Sequence, residues 1–128
     1  MRLKGELGPL ERAVMDVIWA GQRDVTVRDV LETRAAKGLA YTTVMTILDR
    51  LWKKGYLSRR QRGRAYSYRA RIDREAYLES LMDEVFASAS DRREVLLGFV
   101  KGASDDELAE LRRVLRSVER DRRGRTRS

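Results

Sequence analysis

The apolar positions of this chain change their spacing twice, and those changes divide it into helices, one hairpin and helices again. Leu7-Gly8-Pro9-Leu10 reads as a helix start, because Pro suits a first helical position where its missing donor is not needed. Leu10, Val14, Val17 and Ile18 then form a stripe that predicts a helix ending near Trp19-Ala20-Gly21, with Trp19 in the core or a seam. Thr26-Val27-Arg28-Asp29 has the form of a capping box and opens a second helix to about Ala36, burying Val27, Val30 and Leu31 and stopping at Lys37-Gly38. In the stretch from Tyr41 to Gly55, Val44, Ile47, Leu48 and Leu51 follow i, i+3, i+4, i+7 and so face a core. Thr42, Thr46, Asp49 and Lys53 lie opposite, with Met45 and Arg50 on the flanks. Lys53-Lys54-Gly55 suits the carbonyl end of this helix. Ala40 is a poor N-cap, which leaves Thr42 or Thr43 to cap the first turn.

After Gly55 the period falls to two. Tyr56 to Gln61 and Ala65 to Arg69, joined through Arg62-Gly63-Arg64, predict a hairpin with its turn at Gly63 and with Tyr66 and Tyr68 on one face. Two short helices joined by a tight turn, the second with a free polar face, followed by a basic hairpin, make a winged helix-turn-helix. Beyond it the helical period returns. Asp73 caps a helix with the stripe Leu78, Leu81, Met82, Val85 and Ala89, beside Tyr77 and Phe86. A shorter helix runs from about Asp91 to Lys101 with Val95, Leu96, Phe99 and Val100. Ser104-Asp105-Asp106-Glu107 is a capping box opening a third, with Leu108, Leu111, Leu115 and Val118 at spacings of 3 and 4, plus Val114. Three short helices cannot bury these stripes within one chain, and a second copy would cover them with two-fold symmetry.

The expected fold class is therefore mainly α with a small antiparallel β-hairpin. A winged helix-turn-helix domain over 1–72 is followed by a helical dimerisation domain over 73–119. Residues 120–128, with five Arg, one Asp and no apolar side chain, are expected to form a basic disordered tail.

Charge sharpens this picture. The net charge of +8 is unevenly placed: residues 41–72 carry 9 basic and 1 acidic side chains, whereas residues 73–119 carry 7 and 12. A +8 excess within about thirty residues suits a polyanion. With no Cys and no His there is no disulfide, no thiolate or imidazole metal site and no Ser-His-Asp or Cys-His catalysis, so an enzyme is the weakest reading and no cofactor is expected. The longest apolar run, Val95 to Val100, is far below the roughly 18 residues of a membrane span. No signal peptide is recognisable, so no membrane insertion and a cytoplasmic location are expected.

The outward face of the Tyr41 helix opens with hydroxyls and ends with cations. Thr42, Met45 and Thr46 are the candidates for base edges, Met45 by contact with a thymine methyl. Arg50, Lys53, Lys54, Arg62 and Arg64 are the candidates for phosphates or the minor groove.

Three segments, AYTTVMTILDRLWKKGYL (40–57), LERAVMDVIWA (10–20) and RGRAYSYRA (62–70), together resemble the penicillinase and methicillin-resistance repressor family of bacterial winged-helix proteins. The resemblance extends over nearly the whole chain. It implies a homodimeric repressor of β-lactamase or other antibiotic-resistance genes, bound to two-fold-related operator half-sites of double-stranded DNA. It adds Thr43, whose position matches a contact residue of the family. It also implies dimerisation through Leu78, Leu81, Met82, Val85, Phe99, Leu108, Leu111, Leu115 and Val118. Relief would come from a membrane-sensor metalloprotease cutting at the position of Gly98-Phe99, where family examples carry Asn before the Phe. The copper-responsive relatives use C-terminal cysteines, which this chain lacks. Two other readings remain: a ligand-responsive winged-helix regulator with Trp19, Trp52 and Phe86 lining a pocket, and a low-specificity architectural DNA-binding protein.

Overall fold

The computed structural model describes residues 6 to 127, with backbone alone at Arg127. In chain order these residues form α1 (Pro9–Gly21), α2 (Val27–Leu31), a 3-10 turn (Arg34–Ala36), α3 (Tyr41–Lys53), β1 (Leu57–Arg62), β2 (Ala65–Ala70), α4 (Arg74–Ser88), α5 (Arg92–Lys101) and α6 (Asp105–Arg127). The chain is thus mainly helical with one two-stranded antiparallel sheet. It divides into two compact units after Leu81, inside α4, and not at the 72/73 boundary that composition suggests.

The core of the first unit is built from the predicted faces. Val14 and Ile18 of α1, Val27 and Val30 of α2, and Val44, Ile47, Leu48 and Leu51 of α3 are all buried, together with Tyr56, Leu57 and Tyr68 of the hairpin region. Two helices differ from expectation. In α1 the buried positions are Glu11, Val14, Met15, Ile18 and Trp19, whereas Leu10 is 48% exposed. The set 11, 14, 15, 18, 19 satisfies the helical period, and Leu10 lies off it. The second helix stops at Leu31 rather than near Ala36. The Thr33 hydroxyl donates to the Val30 carbonyl at 2.6 Å, and this local bond competes with helix continuation.

Both predicted capping boxes form. Thr26 Oγ1 accepts from the Asp29 amide at 3.2 Å while Asp29 Oδ2 accepts from the Thr26 amide at 3.0 Å. Ser104 and Glu107 exchange the same pair of bonds at the start of α6. At the other end of α3, the Tyr56 amide reaches the Leu51 carbonyl and the Gly55 amide the Trp52 carbonyl. That termination needs a left-handed residue, which Gly55 supplies at φ 92. The chain therefore leaves the helix in a fixed direction and enters β1.

The hairpin pairs Leu57 with Ala70 through Arg62 with Ala65, so the turn is the two residues Gly63-Arg64. Gly63, at φ 62, occupies the first central position, where tight hairpin turns favour Gly. Val25, just before α2, adds a bridge to Tyr68 on the free edge of β2, with both bonds made at 2.7–2.8 Å.

The N-terminal half of α4 belongs to the first unit. Tyr77, expected merely beside the stripe, is buried and packs 5.4 Å from the Trp19 ring and 5.8 Å from the Tyr56 ring, centroid to centroid. Leu81, expected on the dimerisation face, is partly buried and packs against the same core. The second unit contains the rest of α4 with α5 and α6. Among its described residues none is buried. Its α6 runs on to Arg127, so residues 120–127 are helical and not the disordered tail expected from composition. Arg is a good helix former, and only Gly124 interrupts the run. Ser128 and residues 1–5 of the predicted segments lie outside the described residues.

Candidate nucleic-acid interface

The outward strip of α3 follows from its inward one. Because Val44, Ile47, Leu48 and Leu51 are anchored at 0–5% exposure, Tyr41, Thr42, Met45 and Thr46 must project from the opposite side, and all four are exposed. Thr43 is only half-buried, turned toward the side of the helix. Ala40 is the N-cap and makes no side-chain bond, and neither Thr42 nor Thr43 replaces it. The α3 N-terminus therefore keeps free amides pointing outward, an arrangement that favours anions. Thr46 donates its hydroxyl proton to the Thr42 carbonyl at 2.9 Å. Its oxygen can then still accept a hydrogen bond, and its methyl remains free for apolar contact.

The cations of the site fall into two groups that the sequence does not distinguish. Some are tied within the protein. Lys54 Nζ donates to Glu11 Oε1 at 2.7 Å and to the Glu6 carbonyl at 2.9 Å. Lys54 therefore fastens the end of α3 to the start of α1, and its charge is shared with Glu11. Burial raises the Glu11 carboxyl, but the bonds from Lys54 and the Gly8 amide and the charges of Lys54 and Arg50 outweigh it, so the pKa is lowered overall. Arg60 and Arg69 both pair with Asp24, at 3.5 and 2.6 Å, while each keeps about as much of its side chain exposed as Lys53 does. The bond from Arg69 leads the causes that lower the Asp24 carboxyl.

Arg59 is held most completely. Its guanidinium carbon lies 3.5 Å from the Trp52 ring centroid and 4.1 Å from that of Tyr66, and Nη1 lies 3.3 Å from Asp49 Oδ1. A planar cation between two aromatic faces, with a carboxylate at its edge, joins α3 to both strands of the hairpin. Sequence reasoning did not find this clamp. The Trp52 and Arg59 spacing across a helix end gives no signal until the turn at Gly55 folds β1 back.

The remaining cations are free to meet an anion. Arg62 and Arg64 flank the hairpin tip, exposed and without an ion pair among the described residues. Arg50 is exposed likewise. Lys53 pairs with Asp49 at 3.0 Å but keeps two-thirds of its side chain exposed. Between the α2 start, α3 and the hairpin lies an open groove of about 470 Å³ lined by Thr26, Tyr41, Met45, Arg64 and Tyr66. It joins the outward strip of α3 to the hairpin tip in one continuous surface. Neither Trp lines it: Trp19 donates Nε1–H to the Ile72 carbonyl at 2.9 Å, and Trp52 holds Arg59.

A buried-backed helix with an open polar strip beside a hairpin whose only unpaired charges are at its tip is the architecture of a winged-helix DNA-binding protein. A profile of the family described as "Penicillinase repressor" matches residues 7–117. The chain belongs to that family, which consists of transcriptional repressors and not enzymes. It is 42% identical over 117 residues to the transcriptional regulator BlaI of Mycobacterium tuberculosis, covering 88% of this chain and 85% of that protein. It is 24% identical over 116 residues to the methicillin resistance regulatory protein MecI of Staphylococcus aureus, covering 86% and 93%. The solution structure of the DNA-binding domain of the repressor BlaI superposes with a TM-score of 0.51 at 29% identity, over 60% of this chain and 94% of that one.

Proposed function

We propose that this chain is a homodimeric transcriptional repressor. Each copy lays α3 in a major groove and its hairpin tip on the adjoining backbone, and the two copies read a two-fold-symmetric operator that controls a β-lactam-resistance gene. The observation that carries the reading is the exposed strip Thr42, Met45 and Thr46, held outward by four buried residues of the same helix and flanked by Arg62 and Arg64. Thr42, Thr43, Met45 and Thr46 address base edges, while Arg50, Lys53, Arg62 and Arg64 address phosphates. Lys54 is left out of the interface because Glu11 holds it.

Dimerisation is supported by the second unit. Met82, Val85, Phe99, Leu115 and Val118 are between 41% and 60% exposed, with Leu78 at 40% and Leu111 at 38%. Leu108 is half-buried. Apolar surface of this extent, on a unit whose described residues from Met82 onward include none that is buried and continued by Leu78 on the same helix α4, calls for a partner, and an identical copy supplies a matching stripe. Relief by a sensor metalloprotease is supported by Gly98 and Phe99, both exposed in α5. A Cβ added at Gly98 would meet nothing within 4 Å, so no packing within the chain requires glycine there. Glycine at this position leaves the helix looser than Ala would by about 1 kcal/mol, in line with a segment that a protease must open.

Footprinting of purified protein on DNA upstream of its own gene and the neighbouring genes, at near-physiological salt with competitor DNA, tests the reading. A protected two-fold-symmetric site is expected. Protection only at low salt and without a preferred site would replace the repressor with an architectural protein acting through charge alone.

A further inference from the structure

Continuation of α6 to Arg127 turns a run of arginines into a patterned surface. Arg113, Arg116, Arg120 and Arg123 recur at spacings of 3, 4 and 3 and together line one shallow groove of about 320 Å³ along the helix. At 3.6 residues per turn this ridge lies roughly opposite the stripe of Leu108, Leu111, Leu115 and Val118. A partner that covers the apolar stripe therefore leaves the arginines open. From Arg112 to Arg127 there are 8 Arg against 2 acids, Glu119 and Asp121, an excess of +6.

Helix capping does not explain the arrangement. The attraction of cations to a helix C-terminus fades within the last turn, and Arg113, Arg116 and Arg120 stand well before it. Intrahelical pairing explains only one of the four. Arg113 is bonded to Glu110 at 2.5–3.2 Å, whereas Arg116, Arg120 and Arg123 make no ion pair among the described residues. These unpaired cations repel one another along the ridge, a cost that a polyanion would remove.

We propose that the outer face of α6 is a second surface for duplex DNA, engaging phosphates through Arg116, Arg120 and Arg123, with Arg113 at its edge. The ridge spaces one guanidinium about every 5 Å of helix, against one phosphate charge per about 1.7 Å of duplex. Each arginine thus has phosphates within reach. A bilayer is the poorer fit once a partner covers the Leu108, Leu111, Leu115 and Val118 stripe, because a helix that lies on anionic lipid sinks its opposite, apolar face into the acyl boundary and that face is then occupied. Along the ridge itself the uncharged neighbours at helical spacing, Ala109, Ser117, Gly124 and Thr126, are small or polar. The duplex can be the DNA flanking an operator already held by α3, or a separate segment.

The test uses the full chain with Arg116, Arg120 and Arg123 all changed to Gln, and a matching variant with all three changed to Lys. Binding is measured across a salt series on three duplexes: the operator trimmed to its footprint, the same site with about two helical turns added on each side, and a random duplex of the longer length. Capture of a second labelled duplex by operator-bound protein is measured in parallel. The Gln variant is expected to bind the trimmed operator as the parent does. On the longer duplexes its slope of log affinity against log salt should be smaller by up to about 3 for each copy that engages DNA, with roughly a tenfold or greater loss in affinity at low salt, or else capture of the second duplex should disappear. The Lys variant should retain most of both. A loss on the longer duplexes identifies flanking DNA as the target, and a loss of capture identifies a separate segment. Unchanged slopes on every duplex together with unchanged capture would overturn the proposal, as would a defect confined to vesicles of anionic phospholipid. The trimmed operator reports α3 and the hairpin separately, so failure of that head is distinguishable from failure of the ridge.

Discussion

Thr46 and Arg62 stand for two kinds of contact that single substitutions separate. Thr46 already gives its proton to the Thr42 carbonyl, so its contribution to a base edge is an accepting oxygen and a methyl. Thr46→Ala removes both and is expected to weaken operator binding by about 1–3 kcal/mol while leaving random DNA nearly unaffected, as a competition assay would show. Equal loss on both DNAs would take Thr46 out of the readout. Arg62→Ala should weaken both DNAs alike and reduce the salt slope by about 0.9 per copy, hence by about 1.8 for the dimer. Lys54 belongs to a third kind, since it serves the fold. Lys54→Met leaves Glu11 partly buried without its cation, and denaturant unfolding is expected to show a loss of about 1–3 kcal/mol with the salt slope of DNA binding intact. The pH dependence follows from the lowered Glu11 carboxyl. Folding favours its ionised form, so its contribution is fully present above the ordinary carboxylate range and is lost as pH falls through the lowered folded value. In Lys54→Met that acid-side loss of stability should shrink. The sequence alone offers Lys53 and Lys54 as equal phosphate contacts, and only the position of α1 tells them apart.

At the scale of elements, the hairpin is oriented by Arg59 and by Asp24. Arg59→Ala empties the space between Trp52 and Tyr66, and hydrogen exchange should then quicken in β1 and β2. Operator affinity is expected to fall about tenfold with little change in salt slope, because Arg59 positions the tip without meeting phosphate. A slope reduced as in Arg62→Ala would instead make Arg59 a phosphate contact. In the second unit, α5 carries Gly98 in open space. Gly98→Ala is expected to steady the helix by about 1 kcal/mol and to slow cleavage at Gly98-Phe99 about fivefold, measured by limited proteolysis, if cutting requires the helix to open. The helices themselves were legible from periodicity, caps and Gly55. The clamp and the Asp24 pairs were not, because they join residues up to 45 positions apart whose proximity comes from the turns at Gly55 and Gly63 and from the Val25–Tyr68 bridge.

For the whole molecule, the contrast between the two units governs behaviour. The first buries its apolar residues in one cluster, while the second leaves Met82, Val85, Phe99, Leu115 and Val118 open. Leu115→Asp is expected to shift sedimentation from dimer to monomer at micromolar concentration and to cost at least a hundredfold in operator affinity, through loss of the linked second half-site. The first unit should retain its thermal transition.

Periodicity by itself determined the winged helix, its α3 strip, the hairpin tip and the apolar stripes of the second unit, because each is a local pattern of 2 or 3.6 residues that any solvent-facing element must satisfy. Tertiary structure alone decided which cations pair with another element of the chain. A charge is neutralised by whatever stands within a few ångströms, and Glu11 for Lys54, Asp24 for Arg60 and Arg69, and Asp49 with Trp52 for Arg59 come from other elements. It also moved the division between the units into α4, since Tyr77 and Leu81 find their apolar neighbours in the first core. That preference depends on which surfaces meet, and a one-dimensional pattern does not contain it.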